Sequence, residues 1–178
     1  MIMSEADGAG HRELDGLTST TTQSGAGMES CLLDGTPPPC MVVIVGASGD
    51  LTGRKIIPAL YNLYCHGGLP APFFAVGCAR TDLTTEIFRE RMKEALKRAG
   101  LFEPDRWNGF ASLLYYHPVK YDDPASFESL ADRLSELDRE FGTGGNKLFY
   151  LAIPPSLYQS TASMLGRAGL SAGGSEDG

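Results

Sequence analysis

The sequence contains no run of about 18 apolar residues, which is roughly the length that a membrane-spanning helix needs. Its N-terminus lacks the basic segment followed by an apolar segment that marks a secretory signal. Basic residues are not in excess, because the formal net charge is −7 at pH 7. This charge argues against non-specific binding to nucleic acids or anionic membranes. We therefore expect a cytoplasmic protein that binds neither nucleic acid nor membrane.

Cysteine is also sparse, with 4 residues in the whole chain and no Cys-x-x-Cys pair among them. No histidine lies at the spacing of a metal ligand, so the sequence predicts no metal site. We expect free thiols in a reducing compartment at Cys31, Cys40, Cys65 and Cys78.

Large apolar residues are scarce in residues 1–40, which are rich in Gly, Ser, Thr and acids. Six acids and one base give this segment a net charge of −5, so residues 41–178 carry only −2. Such a segment buries too little apolar surface to offset the entropy lost on ordering. We expect a disordered acidic tail over residues 1–40 and one domain over residues 41–178.

Four apolar runs divide the predicted domain, and each is typical of a strand buried on both faces. These runs are residues 41–46, 73–80, 113–119 and 147–153. Helical segments separate them, and the alternation implies a parallel sheet covered on both faces. The predicted fold is therefore α/β and Rossmann-like, with a mainly parallel sheet that is incomplete at its C-terminal side.

Two of the helical segments have apolar residues at steps of three and four. The first contains Phe88, Met92, Ala95 and Ala99 and should end at Gly100; the second contains Phe127, Leu130, Leu134, Leu137 and Phe141. Asp123, Pro124 and Gly142 predict the N-cap, the first position and the end of the second helix.

The other two helical segments are less regular. Residues 51–69 contain Gly53 and Pro58, which predict a kink or a helix that restarts at Pro58. A last helix should begin at about Pro155.

The first strand leads into glycines, in the stretch MVVIVGASGDLTGRK from Met41 to Lys55. Ligands bind beyond the carboxyl ends of the strands in an open parallel sheet, where Gly46 lies. The glycine spacing does not fit a P-loop but fits a variant of the dinucleotide-binding loop, in which the following helix faces a pyrophosphate. A purely structural glycine turn is the alternative.

The end of the second strand indicates which dinucleotide binds. An arginine there accommodates the 2′-phosphate of NADP, whereas an acid binds the ribose hydroxyls of NAD. Arg80 ends the run and Asp82 follows two residues later. The guanidinium of Arg80 can pair with a phosphate and stack on adenine, so we expect NADP, with Asp82 as the competing NAD-type residue.

These segments together resemble the glucose-6-phosphate dehydrogenase family over residues 41–170. The resemblance rests on GASGDL at 46–51, VGCAR at 76–80, YDD at 121–123 and NKLFYLAIPPSLY at 146–158. It implies oxidation of glucose 6-phosphate at C1 to 6-phosphogluconolactone with NADP⁺, in the pentose phosphate pathway, by a homo-oligomeric enzyme. The cofactor-binding residues that it implies are Gly46, Ala47, Ser48, Gly49, Asp50, Leu51, Thr52, Gly53, Arg80 and Tyr158. It also puts Lys55 near the ligand cleft, and Pro154 and Pro155 near the nicotinamide.

Two motifs of the family, EKPFG and RIDHYLGKE, are absent from the sequence. They carry the family's catalytic and substrate-binding residues, so we expect no catalytic residue here and no binding of glucose 6-phosphate without a further part. His11, His66 and His117 match neither motif and should be structural or exposed. The chain is interpreted as the N-terminal piece of a longer dehydrogenase.

Two other functions are considered. One is a stand-alone, non-catalytic NADP-binding module. The other is a different NADP-dependent reductase with a Tyr-x-x-x-Lys catalytic pair.

Overall fold

A computed structural model describes residues 37–171 of the chain. The predicted disordered segment lies outside these residues except for positions 37–40, of which Cys40 already belongs to the first strand. Four strands form the sheet: β1 (Cys40–Val45), β2 (Phe73–Ala79), β3 (Leu114–Pro118) and β4 (Lys147–Leu151). Five α-helices connect or follow them: α1 (Ile57–Cys65), α2 (Thr85–Arg98), α3 (Pro104–Ser112), α4 (Pro124–Phe141) and α5 (Tyr158–Arg167).

The sheet has the order β3-β2-β1-β4, and every pairing is parallel. Helices α1, α2 and α3 cover one face, where Ile44, Tyr61 and Phe110 are buried. Helices α4 and α5 cover the other face, where Phe74 and Leu134 are buried. This arrangement confirms the predicted α/β, Rossmann-like fold and brings the carboxyl ends of all four strands to one edge of the sheet.

The two central strands fit the prediction of burial on both faces, but the outer strands β3 and β4 do not. Strand β2 is buried at every position and β1 at all but its first. Strand β4 pairs only with β1 in the described part of the chain, and its Leu148 and Tyr150 remain 58% and 45% exposed. Among the described residues β4 is therefore an edge strand with one covered face, in agreement with the predicted incomplete sheet.

The predicted ends of α4 are confirmed. Asp123 is the N-cap and its carboxylate accepts a hydrogen bond from the backbone N–H of Ala125 at 3.1 Å. Pro124 is the first helical residue, and Gly142 ends the helix with a φ of +73°. In α2 the prediction is wrong at one position, because Leu96 is buried where Ala99 was expected, and Ala99 caps the helix and is exposed.

The chain between β1 and β2 departs from prediction at its start. A π-helical turn over Thr52–Ile56 runs directly into α1, with the N–H of Ile57 donating to the carbonyl of Thr52. Pro58 has no N–H and would clash with the carbonyl four residues earlier in a regular helix. Helix α1 begins at Ile57 with Pro58 in its first turn, so the predicted restart near Pro58 is confirmed, whereas the π-helical turn before it was not predicted.

Candidate coenzyme-binding site

The turn after β1 is held by its own backbone. The N–H groups of Gly46 and Ala47 both donate to the carbonyl of Cys78 in β2, at 2.7 and 3.1 Å, and the N–H of Gly49 donates to the carbonyl of Gly46 at 2.9 Å. Gly46 has a φ of +96°, and a Cβ there would overlap the carbonyl oxygen of Ala152. Glycine is required at this position both by its backbone conformation and by the close approach of the chain after β4.

The residues that follow in the loop have different surroundings. Thr52 is fully buried, and its hydroxyl lies 3.5 Å from the carbonyl of Gly46, so its side chain packs against the buried side of the turn. Asp50 is exposed and pairs with Arg54 at 2.8 Å. Gly53 faces α2, where a Cβ would lie 3.3 Å from the Cβ of Ala95.

A cavity of about 360 Å³ lies at the carboxyl edge of the sheet, between the ends of β1, β2 and β4. Ser48 and Gly49 line one side of it and Arg80 lines another. The remaining lining residues come from the same strand ends and the loops beyond them: Gly46, Ala79, Thr81, Tyr121, Ala152, Ile153, Pro154 and Leu157. The structure thus brings the glycine loop and Arg80, which are separated by about thirty residues in sequence, to one concave surface.

Arg80 lies over the ring of Tyr121, with its guanidinium carbon 5.6 Å from the ring centroid. In residues 37–171 the guanidinium forms no ion pair with a carboxylate. Tyr121 is 9% exposed, and burial, followed by the nearby Cys78, raises its pKa to about 12, although Arg80 acts in the opposite direction. The site therefore holds a neutral phenol and an exposed arginine that stacks against it.

Thr81 connects the second strand to the glycine loop. Its hydroxyl donates to the hydroxyl of Ser48 at 3.0 Å, and its carbonyl accepts a hydrogen bond from the hydroxyl of Tyr116 at 2.6 Å. Sequence reasoning did not identify Thr81, Tyr121 or Leu157 as residues of this cavity. Tyr121 lies in the YDD motif and Leu157 in the NKLFYLAIPPSLY motif, but neither motif indicates that these side chains meet, because their proximity depends on how the sheet is assembled.

Several other predicted site residues do not line this cavity. Tyr158 is the first residue of α5 and is 42% exposed, whereas its neighbour Leu157 lines the cavity. Leu51 is 44% exposed and Ala47 is fully buried. Lys55 is exposed on the π-helical turn over Thr52–Ile56. Pro154, in contrast, does line the cavity.

Asp82 lines a separate cavity of about 500 Å³ on the outer side of Arg80. Arg80 borders both cavities, and Asp82 borders only the outer one of these two. Asp82, the carboxylate that competes with Arg80 in the sequence, therefore does not line the cavity at the glycine loop.

Two histidines fall within the described residues, and neither lines the cavity at the glycine loop. His66 lies at the end of α1, with Nδ1 2.8 Å from the carbonyl of Asn62. His117 contacts Ser129, with Nε2 3.3 Å from its hydroxyl, and burial, followed by Arg133, lowers its pKa. His11 lies outside the described residues.

Tyr116 and Lys120 have the Tyr-x-x-x-Lys spacing, which sequence reasoning overlooked. A catalytic tyrosine must present its hydroxyl to the substrate. Tyr116 is only 6% exposed, and its hydroxyl donates to the carbonyl of Thr81. The pair therefore does not form the catalytic centre of a reductase.

Among residues 37–171, no helix combines the length and the hydrophobicity required to cross a bilayer. In the same residues, no three side chains of His, Cys, Asp or Glu are grouped as metal ligands.

A family model described as glucose-6-phosphate dehydrogenase, NAD binding domain, matches residues 43–177. Curated relatives include the glucose-6-phosphate 1-dehydrogenases of Chlamydia pneumoniae, 45% identical over 125 residues, and Aggregatibacter actinomycetemcomitans, 46% identical over 131 residues. These matches cover 69% and 74% of this chain but only 24% and 26% of the relatives. The chain thus spans about a quarter of the length of the curated relatives that it matches.

Solved structures show the same similarity. A glucose-6-phosphate dehydrogenase in complex with its substrate glucose-6-phosphate is 34% identical, with a TM-score of 0.66 over 74% of this chain and 28% of that chain. The glucose-6-phosphate 1-dehydrogenase from Mycobacterium avium is 29% identical, with a TM-score of 0.62 over 75% of this chain and 28% of that chain. The family match supports a nicotinamide dinucleotide as the ligand of this domain. The chain belongs to the glucose-6-phosphate dehydrogenase family.

Proposed function

We propose that this chain binds NADP⁺ at the carboxyl edge of its sheet and supplies the coenzyme site of a glucose-6-phosphate 1-dehydrogenase. That enzyme oxidises glucose 6-phosphate at C1 to 6-phosphogluconolactone. The single observation that carries the proposal is that Gly46, Gly49 and Arg80 line one cavity. Family membership supports the reaction, since the relatives are named for it.

The glycine loop is the proposed site of the pyrophosphate. Gly49 has no side chain that would occupy the space beside the turn. The helical segment that follows begins at about Asp50. The first N–H groups of a helix have no partner within it and form a favourable site for an anion. Ser48 adds a hydroxyl that is already oriented by Thr81.

Arg80 is the proposed partner of the 2′-phosphate. Its guanidinium is exposed and free of carboxylates in the described residues, and the ring of Tyr121 supports one side of it. A planar guanidinium can donate two parallel hydrogen bonds to a phosphate and stack on a base. The assignment of NADP⁺ rather than NAD⁺ rests on this residue.

Hydride transfer from C1 also requires a base that accepts the proton of the C1 hydroxyl. The residues that line the cavity include no histidine, aspartate or glutamate. In the proposed enzyme, the base and the sugar-phosphate site come from residues outside the described part of this chain. A non-catalytic NADP-binding module is the second candidate, and the absence of a base from the cavity of the described chain favours it.

The proposed location is the cytoplasm, because Cys40, Cys65 and Cys78 are free thiols. Free thiols are typical of proteins in reducing compartments.

Titration calorimetry of the full chain with NADP⁺ and NAD⁺ tests the proposed coenzyme. We expect the Arg80→Ala variant to lose about 2–3 kcal/mol of NADP⁺ binding, the scale of a hydrogen bond to a charged group. Its affinity for NAD⁺ should hardly change. Arg91→Ala is the matched control, because Arg91 is an exposed arginine on α2 that does not line this cavity. Equal losses for the two coenzymes would contradict the assignment of Arg80 to the 2′-phosphate.

A further inference from the structure

The outer cavity beside Arg80 has a second cation on its wall. Its volume is about 500 Å³, and Arg80, Asp82, Lys120 and Ser126 are among its lining residues. Arg80 borders this cavity as well as the cavity at the glycine loop, so it lies between the two.

The backbone of Lys120 is fixed at the beginning of α4. Its N–H donates to the hydroxyl of Ser126 at 2.9 Å, and its carbonyl accepts a hydrogen bond from the N–H of Asp123 at 3.2 Å. The side chain is exposed, and its ammonium forms no ion pair within residues 37–171. Lys120 is thus an anchored residue whose charge is free to meet a ligand.

The two cations of the outer cavity, Arg80 and Lys120, are matched by two carboxylates, Asp82 and Asp123, so its lining is neutral overall. The carboxylate of Asp123 is engaged by the N–H of Ala125. Burial lowers the pKa of His117, so its imidazole adds no positive charge at neutral pH. Asp82 is exposed and lines this cavity together with the two cations, Arg80 and Lys120.

We propose that Lys120 is a second cation for the 2′-phosphate of NADP⁺, and that Asp82 weakens this binding. The inference rests on the proposed function, since it requires the adenosine end of the coenzyme at Arg80. A 2′-phosphate carries between one and two negative charges at neutral pH, so one arginine does not neutralise it fully. Lys120 supplies the additional charge without contacting the reacting end of the coenzyme.

The test uses two small probes that differ only by the phosphate in question, adenosine 2′,5′-bisphosphate and 5′-AMP. Their affinities for the full chain are measured by NMR titration, which also reports whether each variant is folded. Lys120→Gln should weaken the bisphosphate roughly two- to fivefold, the scale of an exposed ion pair, and should leave 5′-AMP unchanged. Asp82→Asn should strengthen the bisphosphate by a similar factor.

Lys93→Gln is the control, because Lys93 lies on α2, pairs with Glu90 and lines neither cavity. Lys120→Arg should retain the affinity for the bisphosphate, which separates lost charge from altered packing. If the wild-type chain prefers the bisphosphate but Lys120→Gln binds it as tightly as Lys93→Gln does, the role of Lys120 is overturned. The proposed function still stands in that case. Wild-type chain that binds both probes equally would overturn both.

Discussion

Gly46 shows how one residue supports the site through its backbone. The φ of +96° and the contact with Ala152 require glycine there before any ligand is considered. A β-branched side chain at this position would clash with the chain after β4 even when no coenzyme is bound. Loss of coenzyme binding in such a variant would therefore reflect the altered turn. The dinucleotide loop and the join between β1 and the chain after β4 thus depend on the same residue.

Replacing Gly46 with alanine should therefore lower the free energy of unfolding. Gly67 offers a matched control, because it has a φ of +69° and nothing lies within 4 Å of a Cβ built there. Gly67→Ala should cost about 1–2 kcal/mol for the left-handed backbone alone. Gly46→Ala should cost roughly 3–5 kcal/mol, because overpacking adds to the backbone strain. Urea denaturation measures both, and similar costs would show that the contact with Ala152 relaxes easily.

The buried phenol of Tyr121 should make the folded chain less stable at alkaline pH. Its pKa is about 12 in the folded chain, and an unperturbed tyrosine has a pKa of about 10. Its contribution to stability is complete below pH ~10 and is lost as pH rises towards ~12, because the unfolded chain then releases its proton first.

The Tyr121→Phe variant should therefore lose stability less steeply than the wild type between pH ~10 and ~12. Tyr150→Phe is the control, since the Tyr150 ring is 45% exposed. Urea midpoints measured across this range provide the comparison. Parallel curves for the wild type and Tyr121→Phe would show that burial of the phenol does not govern the alkaline loss.

At the scale of elements, four of the five α-helices in the described residues were predicted and α3 was not. Helix α4 has a capping aspartate, a proline at its first position and a terminal glycine, each of which acts through nearby backbone groups. Helix α3 was missed because it spans only nine residues and includes Gly109. Its stability depends on burial of Trp107 and Phe110 against α1, which becomes visible only in the folded chain.

The cap of α4 can be tested by itself. Asp123→Ala should lower the free energy of unfolding by about 1 kcal/mol, because the N–H of Ala125 loses its partner. Asp123→Ser should cost only a few tenths of that, since serine is an equally good cap. Thermal or urea denaturation of the two variants gives the difference. If the serine variant lost as much as the alanine variant, the aspartate would act through its charge or through Lys120 instead of through the cap.

At the scale of the whole molecule, the sequence predicted the parallel sheet and the location of the site, since both follow from strand periodicity and the place of Gly46. It did not predict the lining of the cavity by Tyr121 and Leu157, because those residues reach the site only through the strand order. The predicted incomplete sheet agrees with β4 as an edge strand of the described residues, but the sequence did not indicate that β3 forms the other edge. Long-range pairing, which local patterns do not encode, accounts for these differences.

The last prediction concerns catalysis by the chain of 178 residues. Oxidation at C1 needs a base and a site that holds the sugar phosphate against the nicotinamide. The cavity at the glycine loop contributes neither, because its lining has no histidine or carboxylate and Arg80 is assigned to the coenzyme. We expect no NADPH from glucose 6-phosphate, together with weak NADP⁺ binding and poor solubility, since Leu148 and Tyr150 expose an apolar edge. NADPH absorbance with saturating substrates measures turnover, with a full-length relative as the positive control. Activity that follows the protein peak through purification would mean that a catalytic base lies among these residues.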